Sequence, residues 1–127
     1  MKVTFLGTGT SQGVPMIGCH CHVCSSSDDK DKRLRSSILI SYADRQFVVD
    51  TGPDFRAQML REKVPRLDAV LITHSHKDHI AGLDDVRASI IYSKNLFLSM
   101  ARRFRMKRFG GSFIMPLQII NIPAFRS

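Results

Sequence analysis

The sequence has 127 residues, 43% hydrophobic and 24% charged, which fits one globular domain with a single core and excludes both a disordered chain and a pair of ordinary domains. No apolar run approaches the roughly 18 to 20 residues of a membrane span, and no basic segment followed by an apolar one opens the chain, so a cytoplasmic protein without a membrane partner is expected. The net charge of +8 is unevenly placed: residues 1–85 carry 11 basic and 11 acidic residues, whereas residues 86–127 carry eight basic residues and no acid.

Lys2-Val3-Thr4-Phe5-Leu6 reads as a first, core-facing strand, rich in β-branched and aromatic residues and ended by Gly7. Gly7 to Pro15 follows as a glycine-rich loop, in which missing Cβ atoms let backbone approach backbone or ligand closely. It is no phosphate-binding P-loop, because neither the Lys-Ser/Thr pair nor a helical pattern follows. A loop packed against the functional site is expected instead.

All three cysteines lie in Gly18-Cys19-His20-Cys21-His22-Val23-Cys24. An odd set of closely spaced cysteines in a cytoplasmic protein points to a metal clip rather than a disulfide framework. Three thiolates suit tetrahedral zinc, with His20, His22 or a group from elsewhere as fourth ligand. Residues 25–35 are polar and charge-mixed, as expected of a solvated loop.

Ser36 to Ser41 and Gln46 to Asp50 predict two strands joined by Tyr42-Ala43-Asp44-Arg45, a hairpin with a four-residue loop. Asp50-Thr51-Gly52 ends the second strand, where Asp before Gly also suits a turn. Residues 53–63 predict a helix capped by Asp54, with Phe55, Met59 and Leu60 as its apolar stripe and Pro65 beyond its end. Leu67 to Ile72 predicts the next strand.

That strand runs into Thr73-His74-Ser75-His76-Lys77-Asp78-His79-Ile80-Ala81-Gly82-Leu83. Two histidines two residues apart project to one side of an extended chain, and Asp78-His79 turns toward the same space. Nitrogen and carboxylate donors of this kind suit Zn, Mn or Fe; a polar loop solvating a strand end is the alternative. Residues 82–92 predict a loop leading into a helix, with Asp84 or Asp85 favouring its N-terminus. Further on, Asn95 to Ser99 suggests a strand, Met100 to Phe109 a basic helix, and residues 112–122 an apolar strand broken at Pro116.

The H-x-H-x-D-H string resembles the signature of the metallo-β-lactamase-fold hydrolases. Together with G-T-G-T-S-Q-G-V-P and C-x-C-x-x-C, it resembles the phosphodiesterase branch that includes the cyclic-phosphate phosphodiesterase of the carbon-phosphorus lyase pathway. The resemblance implies an α/β (α+β) fold, a four-layer αββα sandwich with mostly antiparallel or mixed sheets. Residues 1–92 would form its N-terminal half, and residues 93–127 a basic, diverged or frame-shifted tail.

It also implies a dinuclear centre, with His74 and His76 on one metal and Asp78 and His79 on the other, Asp78 being counted among the catalytic groups. Asp50 would lie beneath the metals and orient a ligand histidine, and Cys19, Cys21 and Cys24 would hold a structural zinc completed by a later histidine. The complete form would carry two catalytic zinc ions, or Mn or Fe, and one structural zinc. The implied function is metal-dependent hydrolysis of a small phosphodiester or nucleotide-like substrate.

The resemblance further implies a later His, a bridging Asp and a last His, whereas this sequence has no His after His79 and no acid after Asp85. A truncated or frame-shifted chain is therefore expected, with an exposed apolar face that favours self-association. Two alternatives remain: a tRNA 3′-end processing-like endoribonuclease, and a non-catalytic zinc-stabilised module that binds nucleic acid through Arg102 to Arg108.

Overall fold

The computed structural model describes residues 1–88 together with the strands at 96–100 and 119–122. Six strands, β1 (Lys2–Gly7), β2 (Ser37–Tyr42), β3 (Arg45–Val49), β4 (Ala69–Ile72), β5 (Leu96–Met100) and β6 (Ile119–Ile122), form one sheet in sequence order. Pairing is antiparallel from β1 to β3, parallel from β3 through β5, and antiparallel again to β6, so the sheet is mixed. Among the elements described in full, the α-helices are α1 (Phe55–Arg61) and α2 (Lys77–Ile80).

The core face follows from register. Leu39 pairs with Val48 and Val48 with Val70, so these side chains line up across three strands, and all are buried. Leu6, Phe55, Leu67, Ile72 and Val86 complete this core, with Met59, Val64, Ile80 and Leu83 packed on it. The alternate residues of the same strands, Val3, Phe5, Ile38, Ile40, Phe47 and Val49, face the other way. Phe5 is 69% and Val3 45% exposed. Strand β1 is the edge strand of the sheet and faces the core through Leu6, its one buried residue.

Three expectations are corrected. The β2–β3 hairpin closes through two residues, Ala43 and Asp44, because Tyr42 and Arg45 already pair; Ala43 supplies a left-handed φ of 49°. Asp54 stands at the N-cap of α1 but makes no capping bond: its carboxylate is taken by Arg35, accepting from the backbone N–H at 2.8 Å and from Nη1 at 3.0 Å. On α1 itself Leu60 is 61% exposed while Gln58 is buried, its Nε2 donating to the Arg35 carbonyl at 3.0 Å.

Helix α1 stops in the way its sequence allows. Lys63 adopts φ 52° and donates to the Leu60 carbonyl, and Val64 donates to Met59. These paired bonds satisfy the last carbonyls and bring Val64 down beside Met59 on the core.

Strand β5 lies one residue later than the expected Asn95 to Ser99, and β6 covers the end of the expected apolar strand. Met100, expected to begin a basic helix, ends β5. The rest of that helix, the Arg102 to Arg108 cluster, and residues 112–118 lie outside the described residues. No helix among the described residues is long and apolar enough to cross a membrane.

Candidate metal centres

Asp50 follows the last residue of β3, adjacent to the C-terminal end of β4, and its N–H donates to the Leu71 carbonyl at 2.8 Å. Its backbone is left-handed, φ 62°, a conformation that Asp tolerates better than most residues and that often marks a functional position. The buried carboxylate makes three contacts. Oδ1 accepts from the Thr73 N–H at 2.8 Å, and Oδ2 accepts from the Thr73 hydroxyl at 2.7 Å and meets Nδ1 of His79 at 2.7 Å.

This network fixes both imidazoles. A carboxylate is acceptor-only, so His79 must carry its proton on Nδ1. The single hydroxyl proton of Thr73 goes to Asp50, so its oxygen accepts from Nδ1 of His74, 2.9 Å away. Both rings are thereby left with Nε2 as the free donor atom. Their centroids lie 3.9 Å apart, and that of His76 is 4.7 Å from His74. Desolvation first, then the neighbouring His79 and His76, hold the His74 imidazole below its ordinary value of 6.5, while Asp50 and Asp78 pull the other way.

The segment bearing Asp78 and His79 is clamped by backbone. Thr51 N–H donates to the His79 carbonyl and Gly82 N–H to the Thr51 carbonyl, each at 2.8 Å. A Cβ at Gly52 would overlap the Asp78 carbonyl oxygen, and one at Gly82 would overlap the Gly52 carbonyl. Glycine is required at both places because backbone lies directly on backbone. Asp78 Oδ2 lies 3.2 Å from Nε2 of His79.

The glycine-rich loop packs on residues 33–36 rather than on the histidines. Gly9 donates to Leu34, Val14 and Arg33 exchange two bonds, Arg35 Nε donates to Ser11, and the Ser36 hydroxyl donates to Gly9. Only its start approaches the site: Gly7 and Thr8 border an open depression of about 410 Å³ that Asp50 also lines.

The cysteines converge separately. The sulfurs of Cys19, Cys21 and Cys24 all lie within 4.8 Å of one another, and neither His20 nor His22 joins the group. Cys24 N–H donates to Cys21 Sγ at 3.4 Å and Met16 N–H to Cys24 Sγ at 3.5 Å. The Cys24 amide, then the thiols of Cys19 and Cys24, draw Cys21 down to about 7. Cys24 ends above its ordinary 9.0: the Met16 amide lowers it, but the Cys19 thiol, desolvation and Cys21 together outweigh that. The triad could bind a metal.

Residues 45–123 match the family model of the β-lactamase superfamily domain. The chain belongs to the metallo-β-lactamase superfamily. Among superfamily structures, a diphosphatase of the PhnP family is 39% identical with a TM-score of 0.72, over 88% of this chain and 54% of that one. Zinc-bound PqqB from Methylobacterium extorquens is 34% identical with a TM-score of 0.61, over 68% of this chain and 34% of that one. Human tRNase Z, short form, is 25% identical with a TM-score of 0.54, over 73% of this chain and 30% of that one.

In sequence, a Porphyromonas gingivalis protein named octanoyltransferase is 53% identical over 88 residues, 68% of this chain but 18% of that protein. The coenzyme PQQ synthesis protein B of Methylobacterium nodulans is 33% identical over 103 residues, 70% of this chain and 34% of that protein. The chain therefore spans about half or less of each relative.

Within the superfamily fold, the structure brings His74, His76, Asp78, His79 and Asp50 together at the C-terminal ends of β3 and β4. Among the described residues, the cysteines alone offer three donor atoms within 4.8 Å of one another; the histidine cluster does not. Thr73, Gly52 and Gly82 shape the histidine cluster without having stood out in the sequence. Thr73 carried a usable signal, a hydroxyl directly before the first ligand-type histidine.

Proposed function

We propose that the chain forms the metal-binding half of a metal-dependent hydrolase acting on small phosphodiester or diphosphate substrates. The observation that carries this reading is the His79 ring. Its Nδ1 is committed to Asp50, so Nε2 is left facing the Asp78 carboxylate at 3.2 Å. A lone pair against a carboxylate repels unless a proton or a metal cation lies with them, and a metal with borderline softness suits both donors. His74, fixed through Thr73, offers a second Nε2 nearby, and a ring held neutral to lower pH suits ligation.

On this reading His74 and His76 hold one ion, and Asp78 and His79 a second. That two-and-two division agrees with a cluster in which no three donors crowd one point. A pair of such ions would supply an activated water and neutralise charge on phosphoryl oxygens. Asp50 orients His79 directly and His74 through Thr73, fixing tautomer and basicity. Cys19, Cys21 and Cys24 hold a zinc that orders the loop before β2. The likeness to a diphosphatase at 39% identity supports a bond to phosphorus, ester or anhydride, over other bonds.

The test compares wild type with His79→Ala and with the Cys19, Cys21, Cys24 triple Ser variant, loaded with Zn or Mn. Elemental analysis is expected to show metal beyond the cysteine site in wild type and the triple variant, and its loss in His79→Ala. Bound metal that is indifferent to His79 would overturn the proposal. The 127-residue chain alone should turn over an aryl phosphodiester barely or not at all, since the four histidine-cluster donors supply two ligands per ion. Robust turnover abolished by His76→Ala would reject that ligand count.

A further inference from the structure

We propose that Cys19, Cys21 and Cys24 form a three-coordinate site for thiophilic trivalent ions of the arsenite class. The inference rests on the reading of the triad as a soft-ion site, and extends it to a ligand with a different coordination number. Zinc is tetrahedral and needs a fourth donor; with bonds of about 2.3 Å its sulfurs stand about 3.8 Å apart. The three sulfurs lie within 4.8 Å, and no fourth protein donor joins them among the described residues. Trivalent arsenic keeps a lone pair where zinc takes its fourth ligand, so three thiolates complete its shell. Soft thiolates favour such ions over hard, oxygen-seeking ones.

Backbone hydrogen bonds hold the loop in a shape in which the three sulfurs converge. Cys19 N–H donates to Met16, Ser25 to Cys21 and Ser26 to Val23, while amides of Cys24 and Met16 point at sulfurs. Gly18, at φ 74°, turns the chain so that Cys19 can begin this coil. Cys21 is exposed and Cys19 and Cys24 half-buried, so the triad is reachable from solvent. Binding is a simple exchange. Three As–O bonds of arsenous acid break and three As–S bonds form; the three thiol protons leave with the three hydroxides as water, and nothing is oxidised or reduced.

The experiment uses the metal-free, reduced 127-residue chain and native mass spectrometry with sodium arsenite. Wild type is expected to gain one arsenic and lose three hydrogens. Each single variant, Cys19→Ser, Cys21→Ser and Cys24→Ser, should lose that adduct while still taking phenylarsine oxide, which needs only two thiols. The phenylarsine adduct shows that the remaining thiols are reachable and close together. Wild type that takes phenylarsine oxide but no arsenite, or an arsenite adduct that survives a single Cys→Ser change, would overturn the proposal. Zinc titrated in parallel separates the two ideas. Zinc bound without any arsenite adduct would leave the zinc reading standing and sink this one, and the reverse result would do the opposite.

Discussion

The carboxylate of Asp50 joins positions 29 residues apart, its Oδ2 lying 2.7 Å from Nδ1 of His79 while its other contacts hold Thr73. Asp50→Asn should separate charge from shape. The amide can keep the left-handed backbone and one bond to Thr73, but its NH2 group facing His79 would push the ring proton to Nε2. Metal affinity at the histidine cluster is expected to fall about 10- to 100-fold, measured by competition with a chromophoric chelator. Asp50→Ala should in addition lower stability by about 1–3 kcal/mol in urea denaturation, because buried donors lose their acceptor. An unchanged affinity in Asp50→Asn would show that Asp50 does not act on the ligand histidines.

Gly52→Ala probes the clamp beneath Asp78. The new methyl would meet the Asp78 carbonyl, a backbone atom that cannot rotate away. The expected cost is at least about 2 kcal/mol in urea denaturation, within the range of large single-site effects. Gly18→Ala is the comparison: nothing lies within 4 Å of its Cβ position, but its φ of 74° is strained for alanine, so a smaller loss of about 1 kcal/mol is expected. Equal losses at the two positions would mean that backbone conformation, not the contact with Asp78, sets the penalty.

Asp54→Ala tests whether its carboxylate serves the helix or the loop. It accepts two bonds from Arg35 and none from the start of α1. Stability should drop by about 1–3 kcal/mol. Hydrogen exchange should quicken around residues 9–14 and 33–35, which Arg35 ties together, more than within α1. Exchange that quickens first in α1 would restore the capping role expected from sequence.

His74 gives a pH dependence with a definite sign. Its imidazole in the fold titrates below its ordinary 6.5, so the fold disfavours the charged ring. The unfolded chain binds that proton more readily, and stability therefore rises with pH through this window. The contribution is complete above 6.5 and is lost as pH falls through the lower, folded value. In the metal-free chain, NMR titration of the His74 ring should give a midpoint below 6.5, with urea midpoints falling on the acid side. A midpoint above 6.5 would mean that Asp50 and Asp78 outweigh desolvation and the other histidines.

What the sequence determined by itself was local. Three cysteines in six residues and three histidines with an aspartate in six can meet without help from the fold, since a short loop or strand end already brings them within reach. The strand leading to His74 and the helix after Asp54 were legible for the same reason, as periodic runs with clear stop signals, whereas the mixed sheet came only from the family resemblance.

Only tertiary structure decided which atoms of those residues are free. Nothing in the local pattern around Asp50 says that a left-handed backbone turns its carboxylate onto both Thr73 and His79, and so commits each Nδ1 and leaves each Nε2. That depends on β3 lying parallel to β4, a pairing between segments about twenty residues apart. The same holds for Asp54, drawn from its helix by an arginine 19 residues away, and for β1, where Leu6 is buried in the core while Phe5, on the opposite face, stays exposed. Propensity and spacing see neighbours along the chain, whereas tautomer, exposure and hydrogen-bond partner are set by neighbours across it.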